Sequence, residues 1–237
     1  MKIKYLQVQP NVFDNIDFDT NKHIQVLRGY SGHLMSGFVQ LAVLESTPVD
    51  MLSRLAIEGE CLVHCGVEFD ADAYNVTLRC YVDEDGDVDI YIGASKSQTY
   101  CPKDQEEFLN DMQNIDKTDR VFNVNFDDNP MGLSASDLAV RQLNEYIDKI
   151  AQNKGNRQAP LFIHDCLECI DDSVDITPIF DRLSKVGSQV FITAPDKYPT
   201  RKLDHDDIAV TDCYNELYTR IYLERFGRNF TATKNKY

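Results

Sequence analysis

The stretch LRGYSGHLMS, residues 27–36, decides the fold of this chain. The apolar run at residues 24–27 leads into it and predicts a short buried strand. The segment from Gly37 to Glu45, which follows it, has the character of a helix. The order of strand, glycine-containing loop and helix is the context that a phosphate-binding loop requires.

The loop matches the phosphate-binding pattern G-x-x-x-x-G-K-[ST] at two of its four fixed positions. Gly29 and Ser36 are in register, whereas Leu34 replaces the second glycine and Met35 replaces the lysine. In this pattern the glycines let backbone N–H groups close around the phosphates, and the lysine reaches the phosphate oxygens. A thioether cannot neutralise phosphate charge. The motif therefore predicts a phosphate-loop context that lacks its working residues, and two matches alone do not establish it.

Length and charge restrict the classes of protein to consider. The 237 residues fit one domain, or one domain with two lobes, and the net charge is −15. A field of that sign repels nucleic acid, so we do not expect direct nucleic-acid binding by the isolated chain. No apolar run approaches the roughly 20 residues of a membrane-spanning helix, and the first residues do not form a secretory apolar segment. We expect a cytoplasmic protein without membrane association.

The seven cysteines have irregular spacing, which favours reduced thiols over a disulfide framework. Two groups could offer metal ligands: Cys61-x-x-His64-Cys65 and Cys166-x-x-Cys169. The first group lies in a strand-like stretch, where alternate side chains point to opposite faces, and the second follows a buried strand. We favour small buried apolar side chains over a metal site at both places.

The order of predicted elements changes in the middle of the chain. Strands are predicted at residues 2–9 and 13–18, and alternating strands at 61–69, 76–82 and 88–92 predict an antiparallel meander. Later segments predict a helix at 136–151 with Ser134 or Ser136 as its N-cap, a strand at 160–165, a helix at 177–186 and a strand at 188–193. Strands that alternate with helices indicate parallel pairing. The fold class predicted is therefore a two-lobed α/β domain with an antiparallel meander lobe and a mixed or parallel core sheet.

The whole chain, 1–237, is predicted to form a single domain. Its regions are an antiparallel lobe to about residue 95, a connecting helical region at 96–132, a second lobe at 133–200, and a helical tail at 201–237.

The order of motifs resembles the ABC-type ATPase head of SMC and RecF-like proteins. The matching segments are MKIKYLQV with FDNIDF, the loop at 27–36, GLSASD at 132–137 (signature), LFIHDCLECID at 161–171 (Walker B and D-loop) and QVFITAP at 189–195 (switch strand). This resemblance implies a P-loop NTPase-like fold. The polar segment 95–120 is too short for the long coiled coil of SMC proteins, so the resemblance is to a head without the coil.

The resemblance also assigns roles, and three catalytic ones fall on unsuitable residues. The phosphate-binding lysine is Met35, the catalytic glutamate is Cys166, and the switch histidine is Pro195. Glu168 lies two residues beyond Cys166, in the wrong register to substitute without a shifted backbone. Because phosphoryl transfer depends on positioning and charge stabilisation, these losses remove most of the catalysis. We predict no catalytic residue.

What the resemblance leaves is a vestigial nucleotide site. Its predicted residues are Gly29, Gly32, Ser36, Ser134 and Asp165. Ser36 and Asp165 would ligate Mg²⁺ if a nucleotide binds, and the signature serine, Ser134, would meet a phosphate held by a partner. No cofactor is expected, with ATP and Mg²⁺ as the alternative left open.

Two functions remain at this level. The first is a noncatalytic ABC/SMC-like pseudo-ATPase that acts as a subunit or regulator through protein–protein contacts, as a homodimer or with an ATPase-type partner. Its setting by analogy would be DNA maintenance or phage defence or counter-defence. The alternative is an enzyme. It would be a weak ATP hydrolase using Glu168, or a metal-dependent hydrolase or nuclease using Asp165, Glu168, Asp171 and Asp172. The sequence has no lysine in the D…E-x-K pattern of nucleases, which counts against a nuclease.

Overall fold

The computed structural model describes residues 1–9, 13–29, 32–44, 59–70, 72–82, 88–152 and 158–213. The strands in chain order are β1 (Lys2–Gln9), β2 (Phe13–Asp17), β3 (Ile24–Arg28), β4 (Gly59–Phe69), β5 (Asp72–Val82), β6 (Val88–Ser95), β7 (Val121–Asn123), β8 (Leu161–His164), β9 (Val190–Ala194) and β10 (Ile208–Asp212). The helices are α1 (Gly32–Leu44), α2 (Pro102–Gln113), α3 (Ala135–Gln152) and α4 (Thr177–Leu183), with 3₁₀ turns at Leu167–Cys169 and Thr200–Leu203.

These strands form two sheets. The first has the order β2-β1-β4-β5-β6 and all its neighbours are antiparallel. The second has the order β10-β3-β9-β8-β7 and all its neighbours are parallel. The predicted division into an antiparallel lobe and a parallel lobe is confirmed, and the core sheet is parallel throughout the described residues.

The parallel sheet is buried on both faces, which explains why its strands are continuously apolar in sequence. Phe191 of β9 points into the layer between the two sheets, where α1 also lies. Val190 and Ile192 point the other way, against α3 and α4. A buried amide joins the two sheets: Gln189 Oε1 accepts the backbone N–H of Ile3 at 2.8 Å.

Three elements differ from the sequence-based prediction. Helix α1 begins at Gly32, five residues before the predicted start, because the chain turns into the helix directly after Gly29, whose carbonyl accepts the N–H of Gly32. Strand β7, in the region predicted as connecting and helical, is an edge strand of three residues. The predicted helical tail is wrong at residues 208–212, which form β10 and pair with β3. The rest of the tail, 214–237, lies outside the described residues.

The topology predicts a crevice at the carboxyl edge of the parallel sheet. The chain leaves β3 for α1 on one face and leaves β8 for α4 on the other, with β9 between the two strands. Such a reversal of direction in a parallel sheet is where α/β proteins bind ligands. The loop after β3 and Asp165 after β8 both lie at this edge. No helix among the described residues is long and apolar enough to span a membrane.

Candidate functional site

The loop after β3 lies close against the ends of neighbouring strands. Gly29 has φ +117° and its N–H donates to the carbonyl of Ala194 at 2.9 Å. A Cβ at Gly29 would lie 2.6 Å from the Cys213 carbonyl oxygen, and one at Gly32 would lie 2.5 Å from that of Leu27. Both glycines are therefore required by close backbone approach, independently of any ligand. Residues 30 and 31 of the loop lie outside the described residues.

Met35, in the position of the phosphate-binding lysine, points into the core. Its exposed fraction is 0%, and it lies in the apolar layer between the two sheets. The Cys213 thiol contacts its sulfur at 3.6 Å. A lysine at this position would bury an ammonium group among apolar side chains, which is strongly unfavourable.

The hydroxyl of Ser36 is engaged inside the protein. Ser36 is fully buried, and its Oγ lies 2.7 Å from His164 Nε2. The amide nitrogen of Gln40 lies 3.0 Å from the same ring nitrogen. Because an amide nitrogen only donates, His164 Nε2 is an acceptor and the ring is neutral. Burial, with the nearby charge of His33, lowers the pKa of His164 to about 4.

This serine–histidine pair is not suited to nucleophilic catalysis. A nucleophile must be reached by its substrate, and Ser36 is buried. A general base works best with a pKa near the working pH, and that of His164 is far lower. The pair is a buried structural contact between α1 and the end of β8.

The residues at the loop do not fit ATP with Mg²⁺. The lysine position is apolar and buried, and the hydroxyl that would ligate Mg²⁺ is held by a histidine. Ser36 contacts His164 at the end of β8, and the N–H of Gly29 donates to Ala194 at the end of β9. Their role in binding a nucleotide stays a prediction.

A different group of side chains faces the crevice on the exposed side of α1. His33 Nε2 lies 2.8 Å from Asp165 Oδ1, and their side chains are 45% and 58% exposed. Glu168 completes the group, and ligand atoms of all three side chains lie within 4.8 Å of one another. We call His33, Asp165 and Glu168 the crevice triad.

The backbone of Asp165 explains how Glu168 reaches this group. Asp165 has φ +51°, a left-handed conformation that is uncommon outside glycine. Its N–H donates to Thr193 Oγ1 at 3.2 Å, and the following 3₁₀ turn carries Glu168. The left-handed residue and the turn after it bring Glu168 beside Asp165.

The triad has coupled charges. Burial alone would lower the pKa of His33, but the hydrogen bond and charge of Asp165, with the charge of Glu168, outweigh it and raise that pKa. The hydrogen bond from His33 lowers the pKa of Asp165. Burial, the hydrogen bond with Asp165 and the Asp165 charge raise the pKa of Glu168 to about 7. The triad therefore contains a hydrogen-bonded histidine–aspartate pair and a carboxyl group whose pKa is about 7.

The other two replaced catalytic positions are equally unsuited. Cys166 is fully buried, and burial raises the pKa of its thiol to about 12, so it is not reactive. Pro195 follows β9 and is exposed, without a side-chain donor. Among the predicted alternatives, Asp171 and Asp172 do not join Asp165. Lys202 Nζ contacts the Asp171 carbonyl at 3.0 Å and the Asp172 carboxylate at 3.2 Å.

Ser134, and not Ser136, caps α3. Its Oγ accepts the N–H of Asp137 at 3.1 Å and donates to the Asp137 carboxylate at 2.7 Å. Ser136 is buried, and its Oγ accepts the N–H of Asp171. Among the described residues, these side-chain hydrogen bonds keep Ser134 within the first turn of α3. The structure does not join it to the loop or to Asp165.

Among the described residues, neither candidate group, at residues 61–65 or 166–169, belongs to a cluster of three metal-ligating side chains. His64 Nδ1 lies 3.0 Å from Thr77 Oγ1, whereas Cys65 points into the core, where burial raises its pKa to about 12. The Cys169 thiol donates to the Asp165 carbonyl at 3.1 Å. The side chain of Cys61 lies outside the described residues. The favoured interpretation, small buried side chains, holds for Cys65 and Cys166.

The chain is similar in structure to an SMC head domain from Thermotoga maritima. The similarity covers 91% of this chain and 96% of that chain, with a TM-score of 0.50 and 13% sequence identity. The fold resembles an SMC-type ATPase head. A sequence identity this low shows similarity of fold alone, so nothing about the activity of that protein can be assigned to this chain. Neither protein-family models nor curated proteins gave a match.

Sequence reasoning missed three residues of the site: His33, Gln40 and His164. His33 falls at a variable position of the loop pattern and is exposed in the first turn of α1. His164 ends an otherwise apolar strand, and Gln40 lies one turn after Ser36 on a helix that is otherwise buried. A polar residue on a buried element usually has a buried polar partner, and this was the signal available.

Proposed function

We propose that this head is a noncatalytic SMC-like pseudo-ATPase that acts as a subunit or regulator through protein–protein contacts. Its partner would be a second copy of the chain or an intact ATPase head. The setting we propose by analogy of fold is DNA maintenance, or phage defence or counter-defence.

One observation carries the proposal: the residue in the lysine position belongs to the core. Met35 is 0% exposed and contacts Cys213, which follows β10. A lysine at this position would have to enter the apolar layer between the sheets, so the motif segment supplies no cation here. The burial of Cys166 supports the same conclusion at the second catalytic position.

Calorimetry with ATP and Mg²⁺, run beside a phosphate-release assay, tests the noncatalytic part. We expect neither binding heat nor released phosphate above a blank. Phosphate release that disappears in Asp165→Ala would refute the proposal, since it would place turnover in this site. Asp196→Ala, on an exposed residue after β9, is the control for a general effect of removing a carboxylate.

The partner part needs a separate measurement. Light scattering coupled to size exclusion gives the mass of the chain alone and mixed with an intact SMC-type head. We expect a mass of two chains, or a complex formed only in the mixture. A mass of one chain under both conditions would contradict the protein–protein role.

A weak nucleotide hydrolase is the second candidate, and the position of Glu168 favours it. The left-handed Asp165 places the Glu168 carboxyl beside that of Asp165, and its pKa of about 7 suits a general base at neutral pH. This enzyme would show phosphate release that is lost in Glu168→Gln. The absence of nucleotide binding in the calorimetry would exclude it.

A further inference from the structure

The crevice triad unites three side chains that can ligate a metal, one imidazole and two carboxylates. His33 comes from the first turn of α1, Asp165 from the end of β8, and Glu168 from the 3₁₀ turn that follows. Their ligand atoms lie within 4.8 Å of one another. Residues distant in sequence thus converge at the carboxyl edge of a parallel sheet, where the topology reverses and ligands bind.

The chemistry of this set selects a class of ligand. Imidazole nitrogen suits Zn²⁺, Fe²⁺ and other transition metals, whereas carboxylates alone suit Mg²⁺, Ca²⁺ and Mn²⁺. Once their protons have left to solvent, one imidazole and two carboxylates, in a chain of net charge −15, offer a cation two negative charges and one neutral nitrogen. We propose that His33, Asp165 and Glu168 bind one divalent transition-metal ion, such as Mn²⁺ or Zn²⁺, in this crevice.

The geometry requires only side-chain adjustment. Ligand atoms about 2.0–2.2 Å from a metal lie roughly 3–3.5 Å from one another. Because the ligand atoms of the triad lie within 4.8 Å of one another, they need to close by at most about 2 Å. His33 and Asp165 already lie 2.8 Å apart. The metal replaces the proton between Nε2 and Oδ1, and that proton leaves to solvent.

The surroundings hold Asp165 in place and leave the ion accessible. The backbone N–H of Asp165 donates to Thr193, and its carbonyl accepts the Cys169 thiol. Backbone contacts of this kind fix the orientation of a metal ligand. The side chains of His33 and Asp165 are about half exposed, so water fills the remaining coordination positions.

This site differs from the Mg²⁺ site that the family resemblance implies. That site would pair Asp165 with Ser36, whose hydroxyl here contacts His164 inside the protein. The proposed site uses His33 in place of Ser36 and needs no nucleotide. It therefore goes beyond the pseudo-ATPase proposal, and binding measured without nucleotide tests it separately.

Electron paramagnetic resonance provides the direct test, with Mn²⁺ as the probe, the full chain and no nucleotide. We expect one Mn²⁺ bound per chain, with a ¹⁴N coupling from imidazole in the pulsed spectrum. His33→Gln should abolish that coupling and weaken binding about tenfold or more. His205→Gln is the matched control, because His205 also pairs with an aspartate, Asp181, at 3.2 Å, but belongs to no such triad. It should keep both properties.

Glu168→Gln keeps the test decisive if His33→Gln fails to fold, as circular dichroism would show. This second variant should weaken Mn²⁺ binding about tenfold while keeping the ¹⁴N coupling. No bound ion at about 1 mM Mn²⁺, or bound ion without ¹⁴N coupling in the wild type, would overturn the proposal. Affinity unchanged in both variants would overturn it too, since the ion would then sit elsewhere on the acidic surface.

Discussion

The inner and outer faces of the first turn of α1 differ in character, although His33 and Met35 are only two residues apart in sequence. On the inner face Met35 and Ser36 are fully buried, neutral and in contact with Cys213 and His164. On the outer face His33 is half exposed and forms an ion pair with Asp165. The comparison shows a division of roles within the segment 32–36: the residue in the lysine position of the motif stabilises the core, whereas the charged side chain lies on the outer face beside Asp165.

The largest test of this division is to restore the lysine. Met35→Lys places an ammonium group in the apolar layer between the sheets, where burial shifts a lysine pKa by several units. We expect a loss of about 4 kcal/mol or more in the free energy of unfolding, measured in urea. Met35→Leu, of similar volume, should cost no more than about 1.5 kcal/mol. Wild-type stability together with new ATP binding in Met35→Lys would show that the side chain reaches the loop.

The second test concerns the loop itself. Gly29→Ala introduces a Cβ 2.6 Å from a backbone oxygen, at φ +117°, where an alanine is strained. We expect a cost of about 3 kcal/mol in urea unfolding. Gly132→Ala is the matched control, because its φ of +62° is also positive but no atom lies within 4 Å of the added Cβ. It should cost about 1 kcal/mol. Equal costs at both positions would mean that the loop can move away from Cys213.

A third test uses pH on the inner face. The pKa of His164 is about 4 in the folded chain and near 6.5 when unfolded, so the unfolded chain binds more protons between these values. Stability contributed by neutral His164 is therefore present above about pH 6.5 and lost as pH falls. Between pH 7 and pH 5 the wild type should lose about 2 kcal/mol that His164→Gln does not lose.

His205→Gln controls for the removal of a histidine in this experiment and should follow the wild type. The difference is read from urea midpoints at the two pH values, with a chelator present. Parallel pH profiles of wild type and His164→Gln would mean that His164 is not held neutral by Ser36 and Gln40.

The sequence predicted the frame better than the site, for reasons that particular residues show. Apolar alternation found β1 at residues 2–9 without error, and the buried strands β8 and β9 nearly so. The predicted start of helix α1 is too late because Gly32 and His33 are residue types typical of loops, although they form the first turn of the helix. Of the carboxylates proposed to gather around Asp165, only Glu168 lies beside it among the described residues, and this depends on a left-handed φ at Asp165 that leaves no mark in the sequence. Local periodicity predicts elements, whereas the triad depends on one backbone angle and on contacts between distant residues.

The smallest expected effect on stability comes from Glu168 on the outer face, and its pH dependence is opposite to that of His164. The pKa of Glu168 is raised to about 7, so the folded chain binds more protons than the unfolded chain from about pH 4.5 to 7. Stability from protonated Glu168 is thus present at low pH and lost as pH rises through 7. Because the side chain is partly exposed, we discount the effect for solvent screening to about 1 kcal/mol between pH 5 and pH 8.

Glu168→Gln removes this loss because glutamine does not titrate, so the variant should gain on the wild type as pH rises. Urea unfolding at pH 5 and pH 8 in the presence of a chelator measures it, with Glu106→Gln, an exposed glutamate on α2, as the control. The contribution of His164 to the free energy of unfolding is lost as pH falls, whereas that of Glu168 is lost as pH rises. The two variants should therefore change the pH dependence of stability in opposite directions. If both variants change the pH dependence of stability in the same direction, the inner and outer faces of the α1 turn titrate as one site, which would contradict their separate roles.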